Sequence, residues 1–319
     1  MWRNFRKITF IILGLISIFI LLSACGGQQE SQQSAQQPLN PSSSKESTEE
    51  SAKVNGKILV YTTIYPLYDF AAKIGGDQAE VVVMVPPGVE SHDFEPKPKD
   101  VAQLNKANIF IYNGSNFEPW AEDVLQAINT TNLNVVNVSD HVEILDNDPH
   151  VWLDPLRAKD MARAIKEAFV QADPGNQDVY EVNYNQVVAE LDKLDKEYQQ
   201  GLENVMSRDI IVSHEAFGYL ANRYNLKQIP IAGLSPSDEP SQKELAEIIS
   251  YAKEKNIKYI FFETLVSGKV AKMVQEQIGA EPLTLNPLEG LTKEEQAQGK
   301  DYFSVMRENL ENLTKALGQ

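Results

Sequence analysis

Lys57 to Thr62 reads KILVYT and Ala79 to Val85 reads AEVVVMV. Both are short runs rich in β-branched residues, the pattern of strands buried on both faces. Two more runs follow, Ile109 to Tyr112 and Asn134 to Val138, with amphipathic stretches such as Pro98 to Lys106 between them. Strand and helix in alternation predict a parallel sheet covered on both sides. The rhythm returns at Asp209 to Ser213 (DIIVS), Gln228 to Ala232, Lys258 to Glu263 (KYIFFE) and Pro282 to Asn286, with helices over Ser241 to Asn256 and Lys269 to Ile278. The expected fold class is therefore α/β, with two lobes of similar size.

Between the two series, Asp173-Pro174-Gly175 opens a stretch from Asn176 to Met206 that has no proline and one late glycine, Gly201. Val179, Val182, Val187, Leu191, Leu194, Tyr198 and Leu202 recur at three to five residues, as on the apolar stripe of one long helix. At 1.5 Å per residue it would span roughly 45 Å. The alternative is a broken pair of shorter helices.

The amino terminus is a separate unit. Arg3, Arg6 and Lys7 precede an apolar run from Ile8 to Leu22, and Ser23-Ala24 are small residues before Cys25. This is the pattern of a secretory signal over residues 1–24. The run is about 15 residues, shorter than a spanning helix needs. Leu22-Ser23-Ala24-Cys25 resembles the bacterial lipoprotein cleavage site, which implies lipid attachment at Cys25 and a place on the outer face of the cell membrane. An ordinary signal peptide with an incidental cysteine is the competing reading. Cys25 is the only cysteine, so no disulfide can form within the chain. Residues 25–53, rich in Gln, Ser and Glu, read as a flexible tether. The expected organisation continues with a lobe over 54–175, the connecting helix over 176–206 and a lobe over 207–319. Removing residues 1–24 leaves 26 Lys+Arg against 45 Asp+Glu, a net of −19 where the whole chain has −16. Such a surface repels nucleic acid and anionic headgroups and favours cations.

There are four histidines, His92, His141, His150 and His214. His92 lies in the irregular stretch Pro86 to Pro96 after the second expected strand, His150 in Asp148 to Pro155, and His214 directly after Ile210-Ile211-Val212-Ser213. Loops at the carboxyl ends of parallel strands line the ligand crevice of open α/β sheets, so these three could converge between the lobes. Imidazole suits zinc and its neighbours, and a tetrahedral site wants a fourth donor. Glu289, in Asn286-Pro287-Leu288-Glu289-Gly290 after the last expected strand, is a candidate. Taken singly, each histidine reads more simply as a surface or satisfied core residue.

Longer motifs decide between these readings. GVESHDFEP surrounds His92, DPHVWLDP surrounds His150, SHEAFGYLANRYNL begins one residue before His214, and GLSPSDEPS, NPLEGL and DYFSVMRENLENL follow in order. From about Lys57 to Leu317 the chain resembles the cluster A-I, zinc and manganese type, solute-binding proteins of ABC importers. The resemblance implies two Rossmann-like lobes with central parallel sheets joined by one long rigid helix. It implies a metal in the cleft between them, held by His92, His150, His214 and Glu289. It also implies delivery to an importer permease and, through it, an ATPase, by a monomeric carrier that is not an enzyme.

Manganese-type members usually place a carboxylate where this chain has His214 and an Asp where it has Glu289. Three nitrogens and one oxygen favour Zn2+, with Mn2+ (or iron) the alternative. Many zinc-type members carry a His- and acid-rich insert before the second ligand; here Ser139 to Asp148 is short, and His141 reads as a solvated loop residue. Glu90 and Asp93 are candidates to orient the His92 ring, and Asp154 either supports His150 or caps the helix from Pro155. Trp120 and Trp152 read as core, and Lys293 to Glu295 as a helix face. Release is expected to need a lobe shift that breaks the His214 and Glu289 contacts. A zinc hydrolase is the runner-up, although neither HExxH nor a nucleophile elbow is present. A surface adhesin, working through exposed faces, is a third reading.

Overall fold

The computed structural model describes Lys53 and residues 56–318. The expected signal segment, Cys25 and all of the expected tether except Lys53 lie outside the described residues. Within them no helix is long and apolar enough to cross a membrane.

The early apolar runs form β1 (Ile58–Thr62), β2 (Ala79–Val83), β3 (Ile109–Tyr112) and β4 (Asn134–Asn137), all parallel in the order β2-β1-β3-β4. The later runs form β5 (Asp209–Val212), β6 (Lys227–Pro230), β7 (Tyr259–Phe262) and β8 (Glu281–Thr284), parallel in the matching order β6-β5-β7-β8. Pro230 and Pro282 sit in the two edge strands, β6 and β8, where a missing N–H breaks no central ladder. Several strands stop earlier than their apolar runs. Met84 and Val85 still donate to the Thr62 and Thr63 carbonyls, at 2.8 and 3.1 Å, before Pro86-Pro87 turns the chain away.

Ten helices connect these strands among the described residues: α1 (Tyr65–Gly75), α2 (Pro98–Leu104), α3 (Ala121–Ala127), α4 (Pro155–Ala172), α5 (Gln177–Leu202), α6 (Gly218–Tyr224), α7 (Gln242–Glu254), α8 (Lys269–Ile278), α9 (Lys293–Ala297) and α10 (Tyr302–Leu317). The connector α5 is one unbroken helix of 26 residues, about 39 Å long. It is shorter than the apolar spacing predicts. A 3-10 turn over Pro174–Asn176 precedes it, and Val179 and Val182 face solvent, 39% and 57% exposed. Tyr180 is buried in their stead, its hydroxyl donating to Asp173 at 2.8 Å. Val187, Leu191, Leu194, Tyr198 and Leu202 are buried as expected.

Alternation along the strands sorts side chains between cores. Ile109, Ile111, Ile210 and Val212 enter one continuous cluster that also takes in α5, α10 and both sheets. Phe110 turns to the outer face of the first sheet, and Ile211 and Ile260 to that of the second, under α7 and α8. The lobes therefore share a core. Helix α10 ties them again: Arg307 pairs with Glu190 and Glu197 of α5, while the Tyr302 ring lies 4.8 Å from Phe70 of α1.

Candidate metal centre

His92 follows β2 in a loop folded around Glu90, whose carboxylate accepts from the backbone N–H of His92 and of Asp93 at 3.0 and 2.9 Å. Glu90 thus shapes the loop backbone and does not orient the ring. Asp93 lies in the exposed part of the loop. His150 is fully buried. Asp148, two residues upstream, accepts from both its backbone N–H (2.9 Å) and its Nδ1–H (2.7 Å). Asp154 turns elsewhere, capping α4 through Leu156 N (2.9 Å) and pairing with Arg157 (2.9 Å).

His214, also fully buried, follows β5, and its Nδ1–H donates to Glu263 at 2.7 Å. Glu263 stands at the end of β7, the strand beside β5. In both pairs the carboxylate holds the proton on Nδ1 and leaves the Nε2 lone pair pointing inward. Neither Asp148 nor Glu263 was singled out from the sequence. Asp148 had a signal, as the Asx residue two before a histidine; Glu263 had none until the strand order was known.

Glu289 follows β8 in a buried loop. Asn286 begins that loop and donates to Glu295 at 3.1 Å, while Glu295 and Thr292 close a capping box at the start of α9. The charged run from Lys293 begins a helix, as expected, and Glu295 within it is buried. Trp152 is core, as expected, and its Nε1–H donates to the Pro287 carbonyl at 2.7 Å. Trp120 packs against Phe94 on the outer face of the first sheet. His141 is exposed.

The structure brings His92, His150, His214 and Glu289 together, one donor atom of each lying within 4.8 Å of all the others. His150 Nε2 is 3.4 Å from the Nε2 atoms of both His92 and His214. Glu289 Oε1 is 3.3 Å from each of the three Nε2 atoms. These are five of the six edges of a tetrahedron, and the sixth, between His92 and His214, is within 4.8 Å. A regular tetrahedron with edges of 3.3 to 3.4 Å would have its centre about 2.0 to 2.1 Å from each corner, the bond length zinc makes to histidine and carboxylate. Four inward-facing lone pairs this close repel one another unless a cation or protons lie among them.

The electrostatics agree. Burial alone would depress the His214 imidazole, but Glu263 and Glu289 outweigh it and push it up to about 10. Burial likewise opposes the His150 charge, yet Asp148 and Glu289 raise that ring above the ordinary histidine range. Burial would raise Glu289, but hydrogen bonds from His150, His214 and His92 hold it well below the carboxylate range. A cleft of about 600 Å³ opens on His92 between Phe117, Asn147 and Pro149 on one side and Leu234 and Asp238 on the other. The His92 side chain keeps 11% exposure, against 0 to 4% for the other three.

Residues 60–316 match the family model described as zinc-uptake complex component A, periplasmic. The chain is 37% identical to the high-affinity zinc uptake system protein ZnuA of Bacillus subtilis (strain 168), covering 95% of this chain and 96% of that protein. It is 36% identical to the zinc-binding protein AdcA of Streptococcus pyogenes over 81% of this chain, but spans only 56% of that longer relative. The crystal structure of the Zn(II)-bound ZnuA-like domain of Streptococcus pneumoniae AdcA superposes with a TM-score of 0.74 at 36% identity, covering 83% of this chain and all of that one. With two matching parallel sheets, one linking helix and a family match over nearly the whole described body, the chain belongs to the zinc-uptake component A family of solute-binding proteins.

Proposed function

We propose that this protein captures Zn2+ outside the cytoplasm through His92, His150 and His214 Nε2 and Glu289 Oε1, and delivers it to an ABC-type membrane importer. The observation that carries the reading is the convergence of four donor atoms, five of their six separations being 3.3 to 3.4 Å and all within 4.8 Å, around a space that suits one small divalent cation. Membership of an uptake family, and relatives named for zinc uptake and zinc binding, support the cargo and the importer. Family membership also supports a binding role rather than a catalytic one. In a closed site with four side-chain donors no position is left for an activated water, which favours capture over hydrolysis.

On this reading residues 1–24 direct export and Cys25 carries the lipid. Residues 25–53 tether two lobes, 54–175 and 207–319, which the helix over 176–206 joins. The monomeric carrier meets the permease, with the ATPase behind it. The test is elemental analysis of the mature chain, residues 25–319, after exposure to equal zinc and manganese. One retained equivalent of zinc is expected; retained manganese, or no metal, would overturn the assignment.

A further inference from the structure

We infer that the metal centre is a three-ligand half-site built on the first lobe, completed by a single detachable ligand, His214. The inference rests on the zinc-site reading above. By chain order Glu289 follows β8 and should travel with the second lobe. The hydrogen bonds divide the ligands differently.

The backbone from Pro287 to Leu291 is held by donors of the first lobe. Trp152 Nε1 donates to the Pro287 carbonyl at 2.7 Å. The Tyr65 N–H at the start of α1 and the Ser91 hydroxyl both donate to the Glu289 carbonyl at 3.2 Å, and the Gly88 N–H donates to the Leu291 carbonyl at 2.8 Å. Ser91 adjoins His92, Gly88 shares its loop, and Trp152 lies two residues from His150. The segments that carry those two histidines are thus the ones that grip Glu289. The grip continues downstream, where the Tyr65 hydroxyl donates to the Lys300 carbonyl and Lys73 pairs with Asp301. Leu288 keeps a left-handed backbone, φ 62°, in spite of its side chain, a conformation that persists only where the surroundings over-determine it.

From the second lobe, Leu265 lies against Gly290, an apolar contact without direction. The loop begins, at Asn286, on Asn309 of α10 and Glu295 of α9.

His214 is placed otherwise. Its flanking bonds stay within the second lobe: Ser213 Oγ to the Phe261 carbonyl, Ala232 N–H to the Ser213 carbonyl, Glu215 N–H to the Gly233 carbonyl, and Phe217 N–H to Gln228. The second lobe reaches the His150 loop through the Tyr219 hydroxyl, which donates to the Asp148 carbonyl. His150 itself is fixed from its own side, by the Asp148 carboxylate and by Asn113 donating to the Pro149 carbonyl. A lobe shift therefore breaks one metal bond, to His214 Nε2, and leaves Zn2+ on two imidazoles and a carboxylate with one position open. Transfer is then a ligand exchange, in which the bond to His214 breaks, a bond to an incoming donor forms, and the metal keeps its charge.

The experiment compares His214→Ala, His150→Ala and Glu289→Ala in the mature chain, loading each with Zn2+ and with Co2+ against a competing chelator. His214→Ala should retain one equivalent, more weakly, with a Co2+ spectrum showing a solvent ligand. The other two should lose the metal under the same competition. Glu289→Gln keeps the side-chain volume and should rank with Glu289→Ala, which separates loss of a ligand from loss of fold. Glu289 variants that bind as well as His214→Ala, or better, would overturn the half-site. If none of the substitutions alters zinc binding, the metal-centre reading itself fails. Hydrogen exchange gives a second readout: the Tyr65 and Gly88 amides should stay equally protected with and without zinc. Loss of their protection on zinc removal would show Glu289 leaving with the second lobe.

Discussion

The two sheets repeat one strand order, yet the two deeply buried histidines beside them are oriented by different means. His150 takes its carboxylate from two residues upstream in its own loop, whereas His214 takes Glu263 from the neighbouring strand, although both Nδ1 contacts measure 2.7 Å. Equal topology thus places equivalent crevices and leaves the loops to decide what fills them. One histidine is positioned by local chain geometry, the other only once the second sheet has formed.

Protons test both imidazoles with the largest expected effect. In the metal-free protein His214 is pushed up to about 10, so at pH 7.5 it holds a proton that zinc must displace, while Glu289 stays ionised throughout. Affinity should therefore fall by at least tenfold per pH unit, about 300-fold between pH 7.5 and 5.0, and more where His150 is charged as well. Chelator competition across that range measures it, and a flat profile would rule out a histidine-built site. The same raised value stabilises the metal-free fold fully below the ordinary histidine value of about 6.5, and that contribution is lost as pH rises through about 10. Metal-free thermal melts from pH 7 to 10 should decline accordingly.

Asp148→Asn and Glu263→Gln then set the two histidines against each other. Each substitution keeps shape and removes the charge that fixes the Nδ1 proton, so each should weaken zinc about 10- to 100-fold. Isothermal titration distinguishes them by where the damage spreads. Glu263→Gln should leave the His150 side of the site intact, while Asp148→Asn also disturbs the bond to the His150 backbone. Identical thermodynamics for the two variants would erase the contrast between local and sheet-built orientation.

How much of this was legible follows from the same contrast. The strands were readable because β-branched runs between Gly and Pro punctuation leave few alternatives. The four converging residues were readable because they sit in long motifs at strand ends. Asp148 and Glu263 were missed because a partner for Nδ1 is chosen by loop shape and strand order, which residue spacing does not reveal. Lys293 to Glu295 was legible as a helix face, but it was not legible that Glu295, three residues after Thr292, closes a capping box and is buried. Glu295→Ala should cost about 1 to 3 kcal/mol in denaturant melts, since it removes a cap and leaves the Asn286 amide buried without its partner. A loss within error would mean the α9 cap does not hold the Glu289 loop.

The smallest effect is expected at the start of α5. Val182 fits the apolar spacing as well as Val187 does, yet the first is 57% exposed and the second 4%. After the 3-10 turn over Pro174–Asn176 the buried place at this end of the helix goes to Tyr180, whose hydroxyl donates to Asp173. Spacing fixes which residues share a face; it does not fix where along the helix that face meets a neighbour. Val182→Ser should accordingly shift the unfolding free energy by no more than about 0.5 kcal/mol. A larger loss in urea melts would mean that this end of the connector is covered in solution, and that the apolar stripe read from the sequence was the better guide.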